Sequence, residues 1–182
     1  RFLVTGAAPI SPDLVRWYLA LGVPMLEVWG MTETCGASTG MPVTKIKPGS
    51  IGPSVGFNEV KVDPVTGELL VRGKKVFAGY LNLPEKTAET IDKDGWLHTG
   101  DQARLDDQGH IFITGRIKDI IVLSSGEKVP PEDLQMAIAI DSLFEQVLVI
   151  GEQRPFLSAI VVLNPSQWLR LAHTLAVDPD NK

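Results

Sequence analysis

Two short apolar runs open the chain, Phe2-Leu3-Val4-Thr5 and Met25 to Trp29, with one helix-length segment between them. Gly6 ends the first run, which reads as a buried strand. Ser11 is a suitable N-cap, Pro12 fits the first helical position, and Leu14, Val15, Tyr18 and Leu19 recur at helical spacing until Gly22. A strand, a helix and a strand joined this tightly leave one simple arrangement, two parallel strands with the helix as crossover. The rest of the fold must be built onto that unit.

From Thr39 to Asn58 Gly and Pro are frequent and no period survives, so this stretch is expected to be a loop and a boundary. Beyond it turns come at short intervals. Glu59 to Asp63 and Glu68 to Arg72 read as a hairpin, Pro84 to Ile91 as a short helix, and His110 to Thr114 as a strand after the Asp106-Asp107-Gln108-Gly109 turn. Such a middle region suits a small barrel or sandwich. Next come an expected strand over Ile117 to Leu123, a tight turn at Ser124-Ser125-Gly126, and a helix over Pro131 to Ile140. Strands over Gln146 to Ile150 and Ser158 to Leu163 follow, with a last helix from Asn164-Pro165 to about Ala176. The whole is an α/β beginning, a β-rich middle and an α+β end.

Composition removes several functions. With 44% hydrophobic and 21% charged residues the chain can bury a core, so it is not intrinsically disordered. Its 17 Lys+Arg against 22 Asp+Glu give a net charge of −5, which argues against a nucleic-acid partner. The single cysteine, Cys35, excludes an internal disulfide and a cysteine-based zinc cluster. The longest clearly apolar stretch, Ala159 to Leu163, is far short of the roughly 20 residues of a membrane-spanning helix. His98, His110 and His173 have no metal-ligand spacing, and neither a Walker loop nor G-x-G-x-x-G is present. Gly36-Ala37-Ser38-Thr39-Gly40 matches the nucleophile-elbow pattern, but the flanking Thr32-Glu33-Thr34 and Met41-Pro42 give it neither the strand nor the helix it needs.

Four strings could carry chemistry. Gly6-Ala7-Ala8-Pro9 would let a flat ligand approach the backbone. Trp29-Gly30-Met31-Thr32-Glu33 stands at a strand end, where open α/β sheets place ligands. There a ring can stack a base, a hydroxyl can bond a phosphate, and a carboxylate can hold a magnesium ion. Asp101 closes the turn-rich string Asp94 to Gly100 and could accept two hydrogen bonds from a ribose diol. Gly115-Arg116-Ile117-Lys118-Asp119 adds a planar guanidinium. Each string taken singly is equally a strand-to-helix turn, a core tryptophan beside a solvated glutamate, a turn aspartate, or a surface basic pair.

Together, and in order, these strings resemble the adenylate-forming superfamily of acyl-CoA synthetases, luciferases and nonribosomal adenylation domains. Gly67-Glu68-Leu69-Leu70-Val71-Arg72-Gly73, Gly79-Tyr80 and Ser125 to Glu132 extend the match over most of the chain. Trp29 and the Ile117-Lys118-Asp119-Ile120-Ile121 wording look most like long-chain fatty acyl-CoA synthetases. The resemblance implies the end of a large α/β domain over residues 1–48, a β-rich distorted-barrel subdomain over 49–116, and the start of a small α+β lid domain over 117–182. It also implies ATP, Mg2+, CoA and a fatty acid as small-molecule partners, activation of the carboxylate as acyl-AMP, and transfer to CoA. In it Gly6, Ala7 and Ala8 flank adenine, Trp29 stacks on it, Thr32 bonds the α-phosphate and Glu33 ligates magnesium. Asp101 and Arg116 hold the ribose, Lys118 is the hinge, and Gly126 lies in the loop that shapes the thiol tunnel. Thr32 and Glu33 are the catalytic pair of this reading.

Two departures from the superfamily pattern stand beside the matches. The Ser/Thr/Gly-rich phosphate loop and the near-C-terminal lysine of the superfamily have no counterpart here. The chain therefore reads as a C-terminal fragment that is inactive by itself. The alternatives are a non-catalytic binding module on the same scaffold, and an adenylation domain for amino or aryl acids. The expected location is the cytoplasm, with peripheral membrane association of the longer protein as a further expectation. Self-association of the fragment is expected through the strands Phe2 to Thr5 or Met25 to Trp29.

Overall fold

The computed structural model describes residues 1–178, folded as two compact units, Arg1–Ile117 and residue 118 onward. The first unit begins as its sequence dictates. Strand β1 (Leu3–Thr5), helix α1 (Pro12–Ala20) and strand β2 (Met25–Met31) form the crossover unit, with Leu3 opposite Met25 and the strands parallel. Pro12 sits in the first helical turn and Gly22 follows the helix at φ +75°, but the Ser11 side chain makes no capping bond. Buried status fails for β1: it is an edge strand paired only with β2, and Phe2 and Val4 are 55% and 56% exposed.

Strand β3 (Gly36–Gly40) then folds back antiparallel on β2, inside the string that matched the nucleophile elbow. Ser38 is fully buried there and accepts a bond from Asn58 Nδ2 at 3.1 Å, so it is a structural strand residue. The expected loop from Thr39 to Asn58 is thus partly strand, and its far end is tied down by Ile51 N–H donating to Ile111 O at 2.9 Å.

A four-stranded antiparallel sheet completes the unit in the order β4 (Asn58–Val62), β5 (Glu68–Gly73), β6 (Leu97–Leu105), β7 (Ile111–Arg116). Helix α2 (Pro84–Thr90) lies between β5 and β6 in sequence. The string expected to be turn-rich up to Asp101 holds a turn at 93–95, but from Leu97 it is the first half of β6. Leu97, Thr99, Asp101 and Ala103 alternate inward along it, and two of these four are polar, which hides the strand period. The core of the unit is Ile51, Leu69, Ala103 and Ile111, with Trp29, Val60, Val62 and Ile113 packed against it.

A turn at 117–119 spans the boundary to the second unit, so only Ile121–Val122 of the expected strand Ile117 to Leu123 is extended. That strand, β8, pairs with β9 (Lys128–Val129) across the Ser124-Ser125-Gly126 turn. Helix α3 (Pro131–Ala139), the hairpin β10 (Phe144–Ile150) and β11 (Ser158–Leu163), and helix α4 (Pro165–Leu175) follow. Asn164 caps α4 by accepting from the amides of Ser166 and Gln167 at 3.1 and 3.2 Å. Ile121, Leu123 and Val149 form the core here. No helix among the described residues is long and apolar enough to cross a membrane.

One surface cluster sets an acid limit. Asp106 accepts bonds from Lys47 Nζ and from the amides of Gln108 and His110 at 2.9 and 2.8 Å. These donors, Lys47 foremost, hold its carboxyl well below the usual carboxylate range. A depressed pKa means the stabilisation is complete above about pH 4 and is lost as pH falls below it. Asp106→Asn is therefore expected to lower the urea midpoint at pH 7, to show a smaller deficit at pH 3, and to lose the rest only as pH falls further towards the folded-state pKa. A deficit of equal size at both pH values would contradict this.

Candidate active site

The first part of the site is built by the turn that ends β2. Residues Thr32–Thr34 form one turn of 3₁₀ helix, and Cys35 after it takes a left-handed φ of 50°. Thr34 fixes this turn from inside. Its fully buried hydroxyl donates to Gly36 O at 2.7 Å and accepts from the Met31 amide at 3.0 Å. Thr32 and Glu33 are thereby presented outside, Thr32 exposed and Glu33 half-buried. The Phe77 amide donates to Glu33 O at 2.8 Å, and Tyr80 Oη donates to Glu33 Oε1 at 2.7 Å. The same carboxylate raises the Tyr80 phenol above its ordinary pKa, because losing the proton would end that bond and set two negative charges together.

The second part is a carboxylate with two donors. Asp101 lies on β6 directly opposite Arg116 on β7. Its Oδ2 accepts from Trp29 Nε1 and its Oδ1 from Arg116 Nε, each at 2.9 Å. The Asp101 side chain is 12% exposed, whereas the Arg116 guanidinium is 59% exposed. A carboxylate has about four lone-pair sites, so these two bonds leave acceptor capacity on the same group.

The position of Asp101 is set from β5. Glu68 Oε1 accepts from the Gly100 amide at 2.9 Å, and Glu68 Oε2 accepts from His98 Nδ1 at 2.8 Å. Thr99 Oγ1 donates to Leu69 O at 2.7 Å and accepts from the Asp101 amide at 3.1 Å. These side-chain bonds replace ladder bonds where the β5–β6 register shifts between Glu68 and Leu70.

Gly6, Ala7 and Ala8 form the exposed turn after β1. A Cβ at Gly6 would lie 2.8 Å from Val28 O, and Ala7 has φ 69°, so the turn runs close along β2. Trp29 packs on the core, as one of its two sequence alternatives had it, and its indole N–H also reaches Asp101, a contact the sequence did not suggest. Thus Trp29, Asp101 and Arg116 are joined by direct bonds, and Thr32 and Glu33 leave the C-terminal end of the same strand β2. Lys118 and Gly126 belong to the second unit, Lys118 exposed as its first residue and Gly126 exposed at the β8–β9 tip with φ +86°. Sequence reasoning gave no role to Glu68, Tyr80 or Thr34. The first two stood in the matching strings, but their partners lie 32 and 47 residues away, beyond any periodicity.

The donor set suits magnesium in one specific way. Among the described residues no three His, Cys, Asp or Glu side chains gather into a metal cage. Magnesium characteristically keeps its waters and binds one or two carboxylates together with substrate phosphates, and Glu33 is one such carboxylate.

Comparison with known proteins places this geometry. Residues 1–81 match the model of the AMP-binding enzyme family, and residues 118–176 match that of the AMP-binding enzyme C-terminal domain. A long-chain-fatty-acid–CoA ligase of Xenopus laevis, ACSBG2, is 36% identical over 164 residues, covering 87% of this chain and 22% of the relative. The Drosophila melanogaster long-chain-fatty-acid–CoA ligase heimdall is 38% identical over 169 residues, covering 90% and 24%. The chain thus spans about a quarter or less of the length of these curated relatives. Among solved structures, ATP-bound MatB of Rhodopseudomonas palustris aligns with a TM-score of 0.77 and 32% identity, over 90% of this chain and 35% of that one. The o-succinylbenzoate CoA synthetase of Bacillus subtilis with its acyl-adenylate aligns with a TM-score of 0.82 and 25% identity, over 90% and 36%. With two family models covering most of its length in the expected order, and an adenylate-forming fold in both units, the chain belongs to the AMP-binding enzyme family.

Proposed function

We propose that this chain holds the AMP moiety of ATP in an AMP-forming ligase that joins long-chain fatty acids to CoA. In the first half-reaction a carboxylate oxygen bonds to the α-phosphorus, the bond to the β-phosphate oxygen breaks, and pyrophosphate leaves. In the second, the CoA sulfur bonds to the acyl carbon and AMP leaves with the electron pair of the broken acyl–oxygen bond.

Asp101 accepts the ribose hydroxyls, with Arg116 and Trp29 orienting its two oxygens. Trp29 and the Gly6-Ala7-Ala8 turn bracket the adenine. Thr32 donates to the α-phosphate, and Glu33 holds magnesium on the triphosphate. Bound there, magnesium supplies positive charge to the phosphoryl oxygens as charge moves onto the leaving group. Lys118 absorbs the dihedral change that reorients the second unit between half-reactions, a role suited to a residue at the junction of two compact units. Gly126, at a hairpin tip, shapes the thiol path.

The observation that carries this reading is the Asp101 carboxylate, nearly buried and held by two donors that aim it and leave capacity for a diol. A binding module without catalysis would need neither Thr32 nor Glu33 at the end of the strand that carries Trp29. The choice of fatty acid rests on the named relatives.

The test is AMP release by the protein expressed at the full length of its gene, offered acetate, benzoate, amino acids and long-chain fatty acids. Turnover confined to the fatty acids is expected, and turnover confined to amino acids would overturn the assignment. The 182-residue chain alone is expected to give no ATP–pyrophosphate exchange above background, since it covers only 22–24% of the length of its ligase relatives.

A further inference from the structure

We propose that Tyr80 is a positioning residue for Glu33: its hydroxyl holds one carboxylate oxygen and thereby reserves the other for the magnesium-bearing nucleotide. The proposal rests on the reading of Glu33 as the carboxylate on the metal side.

Tyr80 is itself held on several sides. Its amide donates to Thr87 Oγ1 of α2 at 2.9 Å. Its ring meets Phe77 edge-on at 4.8 Å between centroids, and the Phe77 amide donates to the carbonyl of Glu33. Gly79 before it allows this approach, since a Cβ there would stand 2.6 Å from Thr87 Cγ2. Helix α2 is therefore coupled through Thr87 and Tyr80 to a carboxylate 47 residues upstream of the tyrosine.

The bond from Tyr80 Oη to Glu33 Oε1 is 2.7 Å long, a short charge-assisted contact to a carboxylate. A free glutamate rotates about three bonds and offers either oxygen. With Oε1 taken by a fixed phenol, that freedom is removed before any ligand arrives. Magnesium tolerates little departure from octahedral geometry, so a carboxylate aimed in advance binds it better than one that must be ordered. Groups that orient a metal ligand in this way are typically worth about 10–100-fold in metal affinity.

The experiment compares Tyr80→Phe with wild type and with Glu33→Gln in the full-length protein. Kd is measured by calorimetry for the non-hydrolysable α,β-methylene analogue of ATP, with excess Mg2+ and with EDTA, and for AMP with EDTA. Tyr80→Phe keeps the ring against Phe77 and is expected to lose about tenfold of the tightening that Mg2+ gives, with the AMP Kd unchanged. If Glu33→Gln loses the tightening and Tyr80→Phe keeps all of it, the positioning role is overturned while the reading of Glu33 stands. If Glu33→Gln keeps it too, that reading fails and takes the proposal with it. A weaker AMP Kd in Tyr80→Phe would make Tyr80 a support of the whole site, which also overturns the proposal.

Discussion

Asp101→Asn is expected to weaken AMP binding by the full-length protein about a hundredfold. Hydrogen bonds to a charged acceptor are worth about 1.5–3 kcal/mol each, and the ribose diol is proposed to make two. Replacing the carboxylate with an amide keeps one oxygen and turns the other into a donor. That donor must then face either the Trp29 indole N–H or the Arg116 Nε–H, both of which also donate. The variant therefore loses ribose acceptors and disturbs the groups that aim them. A loss of about 3 kcal/mol converts to the hundredfold change. Fluorescence titration with AMP measures it, because Trp29 sits in the affected bond. An affinity within threefold of wild type would remove Asp101 from the ribose site. Arg116→Lys gives the graded comparison, since a lysine keeps charge without the planar fork.

Gly30→Ala is expected to produce a large loss of stability, at least about 3 kcal/mol. A Cβ at Gly30 would fall 2.1 Å from Gly36 O, 2.6 Å from Gly36 C and 2.8 Å from Ala37 Cα. All three are backbone atoms, so no rotamer change relieves the clash. Either β3 separates from β2 or the bulge between Trp29 and Gly30 rearranges, and both move the turn that carries Thr32 and Glu33. Gly126→Ala is the contrast. Nothing lies within 4 Å of a Cβ there, so only its positive φ of 86° is penalised, at about 1 kcal/mol. Urea unfolding of both variants separates steric from conformational cost. A Gly30→Ala protein as stable as Gly126→Ala would show that β2 and β3 do not cross as closely as described.

How much of this was legible in the sequence varied with the kind of residue turned inward. The crossover unit was legible because Leu3, Val15, Met25 and Leu26 mark it with apolar side chains at helical or strand spacing. Strand β3 was not, because its buried positions are Ser38, Thr39 and Gly40. Strand β6 failed for the same reason, with Thr99 and Asp101 on its inner face. The candidate site residues Trp29, Glu33, Asp101 and Arg116 could be proposed only through the ordered strings. Their chemistry, carboxylates near a ring and a guanidinium, is common to many surfaces. What no string could show was pairing across the sheet, such as Asp101 opposite Arg116, or the reach from Tyr80 back to Glu33. The strand over Ile117 to Leu123 was over-read because an apolar run does not reveal where a turn interrupts it.

The inward alternation along β6 ties the proposed ribose carboxylate to chain arithmetic. Asp101 shares the inner face with Leu97, Thr99 and Ala103. Insertion or deletion of a single residue between Leu97 and Asp101 would turn either Gly100 or Gln102 inward in its place. The turn at 106–109, just past the end of the same strand, carries no such constraint, and lengthening it leaves every β6 side chain on its own face. Natural variation in length should therefore be forbidden in the first stretch and tolerated in the second, two tolerances set by one strand and readable in any collection of related genes.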